Sequence, residues 1–326
     1  MTIMITGING FVGTNLIMAF RDNSIIHGID IVPDKQEGVL SVSSWNDFNL
    51  APMVDTIVHL AGKAHDTNNT SAEQEYFDIN VGLTKKIFDP FLASNAKKFI
   101  QFSSVKAVAD TISTDLLTEE VFPDPQTPYG KSKLEAERYI LSHSVPVDKK
   151  VYILRPCMIH GPGNKGNLNL LYDMVRKGSP YPLGAFQNKR SFTSIQNLTW
   201  IIENLIEKDI PSGTYNVADD EPLSTNQIIS LMAASLNRKK KIWNVNPELI
   251  KQIAKAGDLL HLPLNNERLK KLTESYVVSN KKLKTALGVD HMPVSAVDGM
   301  KSTIESFNSI PKNGHSPPVT RHPLIT

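Results

Sequence analysis

Apolar residues near the start of the chain fall in short continuous runs, separated by stretches in which they recur at helical spacing. Thr2 to Thr6 is an apolar run stopped by Gly7, and Phe11 to Phe20 repeats its apolar residues every three or four positions, which predicts strand, tight turn and helix. Ile25 to Val32 predicts the next strand and Asp55 to Ala61 another. Tyr76 to Ala93 predicts a long helix, Lys98 to Phe102 a strand, Pro128 to His143 a second long helix, and Val151 to Leu154 the strand that closes this half. Strands alternating with helices imply a parallel, doubly wound α/β sheet.

The pattern changes after Pro156. Prolines and glycines crowd Gly161 to Gly184, and the later helical stretches, Thr225 to Leu236 and Pro247 to Lys255, have little strand between them. A first domain over 1–157 is expected, with 191–218 returning to it because Gly213 to Val217 reads as one more strand. A smaller, mostly helical substrate lobe is expected over 158–190 and 219–310, followed by a flexible tail over 311–326 that has no apolar periodicity. No internal repeat is visible.

Composition narrows the class. Hydrophobic residues are 40% of the 326 and charged residues 21%, the balance of an ordinary globular protein. Lys and Arg total 35 against 33 Asp and Glu, a net charge of +2, so no nucleic-acid partner is indicated. One basic cluster, Arg238 to Lys241, precedes Ile242 and Trp243; it reads as a solvated helix end, with contact to an anionic membrane as the other reading. The single Cys157 can form no internal disulfide, which fits a reducing, cytoplasmic setting. Met1 to Thr6 runs straight into a glycine motif rather than into a signal peptide, and no apolar run approaches the ~20 residues of an integral membrane segment. No His, Cys or Asp cluster has metal spacing, so no metal is expected.

Gly7, Gly10 and Gly13 form G-x-x-G-x-x-G where the first strand meets the first helix. A dinucleotide pyrophosphate needs both the close backbone approach and the helix N-terminus found there. Asn9, Phe11 and Val12 belong to the same turn. Asp30 ends the second strand, 23 residues after Gly7, next to Ile31; a carboxylate there hydrogen-bonds ribose hydroxyls and repels a 2'-phosphate. Neither Arg nor Lys occurs in the three residues after it, so NAD is expected rather than NADP. In His59-Leu60-Ala61-Gly62 the small residues let backbone pass beneath the adenosine, and His59 reads as a packed, hydrogen-bonded residue. Asn80 reads as a strut for that loop.

Tyr129-Gly-Lys-Ser-Lys133 puts a phenol and an ammonium at i and i+4, on one helix face. A free tyrosine titrates near ~10, and an adjacent ammonium favours the phenolate that can take a proton from a substrate hydroxyl. Phe102-Ser103-Ser104 ends a strand at the carboxyl edge, where open α/β sheets bind ligands, and a hydroxyl there can orient the substrate oxygen. Cys157 reads as a small buried filler.

With Arg155-Pro156, Gly161-Pro-Gly163 and Arg190-Ser-Phe192 added, these pieces resemble the extended short-chain dehydrogenase/reductase family, in its branch of NAD-dependent nucleotide-sugar epimerases and dehydratases. The resemblance runs to about Phe307. It implies a Rossmann-like domain holding NAD, with Leu60, Ala61, Asn80, Phe102, Ser103, Tyr129, Lys133 and Pro156 joining the glycine turn around the cofactor. It aligns Ser104 with the catalytic Ser/Thr, Ser103 being the alternative, beside Tyr129 and Lys133. Ser104, Tyr129, Met158, Asn167, Leu168 and Arg190 would then meet the substrate, with the arginine on the sugar diphosphate.

Dehydratases of the family carry an acidic pair after the catalytic Ser/Thr, where this chain has Val105 and Lys106. The resemblance therefore implies a 4-epimerase acting on a UDP-linked nucleotide sugar in surface polysaccharide synthesis. A 4-keto reductase of a nucleotide deoxy(amino) sugar and an epimerase of a lipid-linked sugar diphosphate are the other readings. Two positions depart from the epimerase pattern: Met158 stands where many place an asparagine, and Ala109 replaces a glycine. A regulator without turnover would typically lack the Tyr129 and Lys133 pair. Relatives often form a homodimer through the two long helices, and the same is expected here.

Overall fold

In the computed structural model, residues 1–308 are described apart from 49, 51–52, 65–71, 113, 165 and 261–264. The expected tail, 311–326, lies outside the described residues. The first half runs β1 (Thr2–Thr6), α1 (Phe11–Phe20), β2 (Ile25–Asp30), β3 (Ser41–Ser44), β4 (Thr56–His59), α2 (Glu73–Ala93), β5 (Lys98–Phe102), a 3-10 turn (Val105–Ala107), α3 (Pro128–Leu141) and β6 (Lys150–Pro156). The second runs β7 (Met158–His160), α4 (Asn167–Arg176), β8 (Phe192–Ser194), α5 (Ile195–Glu207), β9 (Gly213–Val217), α6 (Thr225–Ser235), α7 (Pro247–Leu260), α8 (Asn266–Thr273), α9 (Lys281–Leu287) and α10 (Ala296–Asn308).

Seven strands form one parallel sheet in the order β3-β2-β1-β4-β5-β6-β9. Strand order reverses between β1 and β4, and the crevice outside the carboxyl ends of such a switch point is where ligands bind in open α/β sheets. β1 and β4 are buried along their whole length, as unbroken apolar runs in a doubly covered sheet should be. One face is closed by Leu16, Ile17 and Phe20 of α1 against Leu198, Ile201 and Ile202 of α5. The other is closed by Ile87, Phe88 and Phe91 of α2 with Ile140 of α3, against Met4 and Phe99. A separate core joins Leu168, Tyr172 and Val175 of α4 to Ile228 and Met232 of α6 and Met300 and Ile304 of α10. No helix among the described residues is long and apolar enough to cross a membrane.

The structure departs from the sequence expectations at identifiable places. β2 stops at Asp30, and Ile31 beyond it is 80% exposed. β3 was not expected, because Ser-Val-Ser-Ser has no apolar run; pairing with β2 at the sheet edge makes it a strand. The crowded stretch 161–184 contains α4, which starts at Asn167 once Gly166 ends the glycine-rich turn. The expected lobe boundary is crossed by α9 and the segment after it, since Leu283, Leu287 and Met292 are buried in the first core rather than the second.

Candidate active site

The turn after β1 is shaped by residues without side chains. Gly7 has φ +70, and a Cβ on it would lie 2.9 Å from the backbone nitrogen of Ala61. A Cβ on Gly13 would lie 2.3 Å from the carbonyl oxygen of Ile8, too close for any side chain. Gly10 caps α1 without a side-chain hydrogen bond, leaving the helix N-terminus open toward the crevice. Such a cradle suits the pyrophosphate of a dinucleotide, which needs backbone N–H groups and no intervening Cβ. Gly13→Ala is expected to displace the turn, lowering stability by about 1–3 kcal/mol and weakening retention of NAD; thermal melts and quantitation of released nucleotide check both.

Asp30 fixes the outer edge of the cradle. Its carboxylate accepts hydrogen bonds from the backbone of Asn9 (2.8 Å) and of Ile31 (2.7 Å), while the Asn9 side chain donates to Val32 O (2.9 Å). Thr6 reaches the next strand by sharing a 2.6 Å hydrogen bond with His59 Nδ1, and its hydroxyl accepts from Ala61 N (3.1 Å). Burial, reinforced by the Lys133 charge, pushes the His59 imidazole down to about 3, so it stays neutral and serves as a packed strut. Phe11 lies against the turn after β7, its ring 3.5 Å from the Cβ position of Gly161, while Val12 is half-buried at the edge of the first core.

Asn80 ties the β4 loop to α3. Its Oδ1 accepts from Lys63 N (2.8 Å), and its Nδ2 donates to Lys63 O (3.3 Å) and to Ser132 Oγ (2.9 Å). Gly62 makes room for this meeting, because a Cβ there would lie 2.6 Å from Asn80 Oδ1 and 3.0 Å from Lys133 Nζ. α3 begins with Pro128 at its first position and Thr127 as cap, the Thr127 hydroxyl accepting from Gly130 N (3.2 Å). Tyr129 therefore emerges in the first turn, one turn ahead of Lys133.

Tyr129 and Ser104 are hydrogen-bonded through their side chains, and the Tyr76 ring meets Tyr129 edge-on with centroids 6.3 Å apart. Burial pushes the Tyr129 phenol above its ordinary value, and the Ser104 bond opposes that shift. Ser104 also caps the 3-10 turn, accepting from Lys106 N (3.2 Å). Lys133 is buried, its Nζ donating to Phe102 O (3.1 Å); burial lowers its pKa to about 8, with the charge of Glu137 working the other way.

Of the two serines, only one faces the phenol. Ser103 Oγ donates instead to Glu137, which is buried and held by Arg155 through Nε to Oε1 (2.9 Å) and Nη2 to Oε2 (2.5 Å). Sequence reasoning missed Glu137. The available signal was its place at i+4 from Lys133 and i+8 from Tyr129, on one face of α3. Lys106 was read only as the absence of an acid; it is largely buried, with Nζ 4.4 Å from the Tyr276 ring centroid and donating to Asp110 O (2.5 Å).

Toward the second core, Pro156 and Cys157 are buried, and burial drives the Cys157 thiol far above its ordinary range, so it stays protonated. Met158 is 42% exposed. Asn167 is exposed at the first position of α4, whereas the Leu168 side chain fills the second core, leaving its backbone for contacts. Arg190 is half-buried, donates from Nε to Glu274 O (3.2 Å), and is pinned by backbone bonds to Leu223. Desolvation lowers its pKa from the usual value, against the pull of Glu274.

Comparison with known proteins places these features in context. The model of the NAD dependent epimerase/dehydratase family matches residues 3–218. A UDP-glucose 4-epimerase of Vibrio cholerae is 30% identical over 321 residues, covering 94% of this chain and 95% of that protein. An N-acetyl-alpha-D-glucosaminyl-diphospho-ditrans,octacis-undecaprenol 4-epimerase of Escherichia coli O157:H7 is 29% identical over 247 residues, 73% of each chain. Among solved structures, MoeE5 in complex with UDP-glucuronic acid and NAD superposes with a TM-score of 0.74 at 20% identity, covering 94% of this chain and 99% of that one, a likeness of fold.

Proposed function

The chain belongs to the NAD dependent epimerase/dehydratase family, and from that premise we propose that it is a nucleotide-sugar 4-epimerase working on UDP-linked hexoses or N-acetylhexosamines. The observation that carries the reading is the Tyr129 phenol hydrogen-bonded to Ser104 and followed one helical turn later by buried Lys133. Full-length likeness to a UDP-glucose 4-epimerase supports the substrate class. Val105 and Lys106 in the turn after Ser104 leave no acid and base for a dehydration at that place.

Bound in the glycine cradle, NAD supplies the hydride acceptor and donor at the sugar C4. Tyr129 Oη takes the proton of the C4 hydroxyl, Ser104 Oγ holds the same oxygen, and the Lys133 ammonium favours the phenolate. The 4-keto sugar then turns over, and Tyr129 returns the proton as the opposite C4 configuration forms. Asp30 would hold the adenosine ribose, Arg190 the sugar diphosphate, and Asn167 with the Leu168 backbone the nucleotide. In this reading the seven-stranded sheet is the cofactor domain and the α4, α6 and α10 core is the substrate lobe, in a cytoplasmic protein that pairs with a second copy through α2 and α3.

Incubation with UDP-glucose, UDP-galactose and their N-acetyl forms tests the reading. Interconversion at C4 with no net use of NADH is expected. NADH oxidation confined to added 4-keto sugars, with no interconversion, overturns it in favour of a reductase.

The pH profile follows from Lys133. Its pKa is lowered from 10.5 to about 8, so the ammonium is present below that pH and lost above it. Activity that depends on a cationic Lys133 falls as pH rises through about 8, and Lys133→Met is expected to abolish that alkaline limb along with most of the turnover; rate measurements from pH 6 to 10 check it.

A further inference from the structure

At the C-terminal end of α4, the substrate lobe gathers cations around a pocket. α6 ends in a turn where Asn237 has φ 51, and the four basic residues Arg238 to Lys241 follow, all exposed. Lys241 to Trp243 then runs alongside Tyr181: Tyr181 N donates to Lys241 O (2.8 Å) and Trp243 N to Tyr181 O (2.8 Å). Ile242 packs onto the second core, so in this extended pairing Lys241 and Trp243, on either side of it, face outward together.

Gly178 closes the other wall. It follows α4 with φ +74, and its Cβ position lies 3.5 Å from Arg238 Nη1 and 3.7 Å from Lys241 Nζ. Two cationic heads thus converge on one point where the chain has no side chain. The resulting pocket is about 260 Å³, with Val175 and Ile229 at its apolar floor, and Lys239 and Ser179 completing the rim. Some exposed cations of this lobe have carboxylate partners, Arg176 with Asp173, Lys251 with Glu248 and Lys301 with Asp298, while others such as Lys177 and Lys189 stand apart from one another. Among the described residues, Arg238, Lys239 and Lys241 have none. Like charges held together without a counterion repel one another, and an anion in the pocket removes that cost.

We propose that the pocket between α4 and the Arg238–Lys241 segment binds a phosphate group, presented by a soluble phosphate ester or by a phospholipid headgroup. A guanidinium fork and two ammonium groups match a tetrahedral dianion. The pocket lies at the end of α4 opposite Asn167, roughly 15 Å along the helix, so it is separate from the proposed nucleotide contacts of Asn167 and Leu168 and does not depend on the epimerase reading. Trp243, 57% exposed on the same outward face, is placed to sit at a lipid interface if the phosphate is a headgroup.

The test uses the full chain saturated with NAD at about 0.15 M salt, where diffuse surface attraction is screened. Inorganic phosphate is titrated by calorimetry into the wild type and into Lys239→Gln/Lys241→Gln, whose exposed side chains leave folding and basal turnover unchanged. Vesicles of phosphatidylglycerol and of phosphatidylcholine are offered to both in flotation. Phosphate binding that weakens at least tenfold in the variant supports the site. Co-flotation with phosphatidylglycerol alone, a blue shift of Trp243 emission, and loss of both in the variant support it with a headgroup as the source; phosphate binding without flotation supports it with a soluble ester. Absence of both kinds of binding, or variant and wild type behaving alike, overturns the proposal. Arg238→Gln, read in the same assays, decides the matter should the double variant melt earlier than the wild type.

Discussion

Tyr129→Phe is expected to lower kcat about 1000-fold while leaving NAD bound and the fold intact. The substitution removes one oxygen. That oxygen is the group which, in the proposed chemistry, takes and returns the proton at C4, and among the described residues no other titratable side chain is hydrogen-bonded to Ser104 in its place. His59, at the end of β4, is held neutral by burial with its Nδ1 engaged by Thr6. Stability should change little, because the loss is one hydrogen bond to Ser104, worth about 1 kcal/mol, while the ring keeps its edge contact with Tyr76. Ser104→Ala should cost less, about 10- to 100-fold, since it orients the oxygen without exchanging a proton. Steady-state rates with thermal melts decide the matter: a Tyr129→Phe protein within tenfold of wild type would sink the assignment.

The candidate site was legible in the sequence where one local rule determined the geometry. The glycine turn reads directly, because only residues without Cβ fit where Gly7 meets Ala61 and Gly13 meets Ile8. Tyr129 and Lys133 read directly because helical spacing alone puts them on one face. The sheet was legible for a similar reason, its buried strands being continuous apolar runs bounded by turns.

The features that escaped depend on contacts between distant segments. Ser103 and Ser104 are equivalent in sequence; which one meets the phenol is decided by Glu137, 34 residues away, capturing the other. Glu137 itself looks like a solvated charge on an amphipathic helix until Arg155 on β6 arrives beneath it. β3 has no apolar signature and exists because β2 offers it an edge. α9 lies within the expected lobe in sequence yet buries Leu283 and Leu287 in the first core, a placement fixed by tertiary packing.

Breaking the Glu137–Arg155 pair should have the largest effect on stability. Both side chains are almost fully buried and joined by three charge-assisted bonds, so Glu137→Gln leaves a buried guanidinium without its counter-charge, a loss of about 3–5 kcal/mol by urea unfolding. Replacing both partners, Glu137→Leu with Arg155→Met, removes the stranded charge and should restore most of that stability. Catalysis should not recover in step. The Glu137 charge raises the pKa of Lys133 against the burial that lowers it to about 8, so a chain without the carboxylate loses the ammonium at lower pH. The alkaline limb of the rate profile should therefore move toward acid in Glu137→Gln and stay displaced in the paired variant. Recovered stability with a displaced limb means that Glu137 tunes Lys133 as well as packing beneath it. If the limb returns with the stability, the pair serves only the fold, and if Glu137→Gln is as stable as the wild type, its burial carries no such cost.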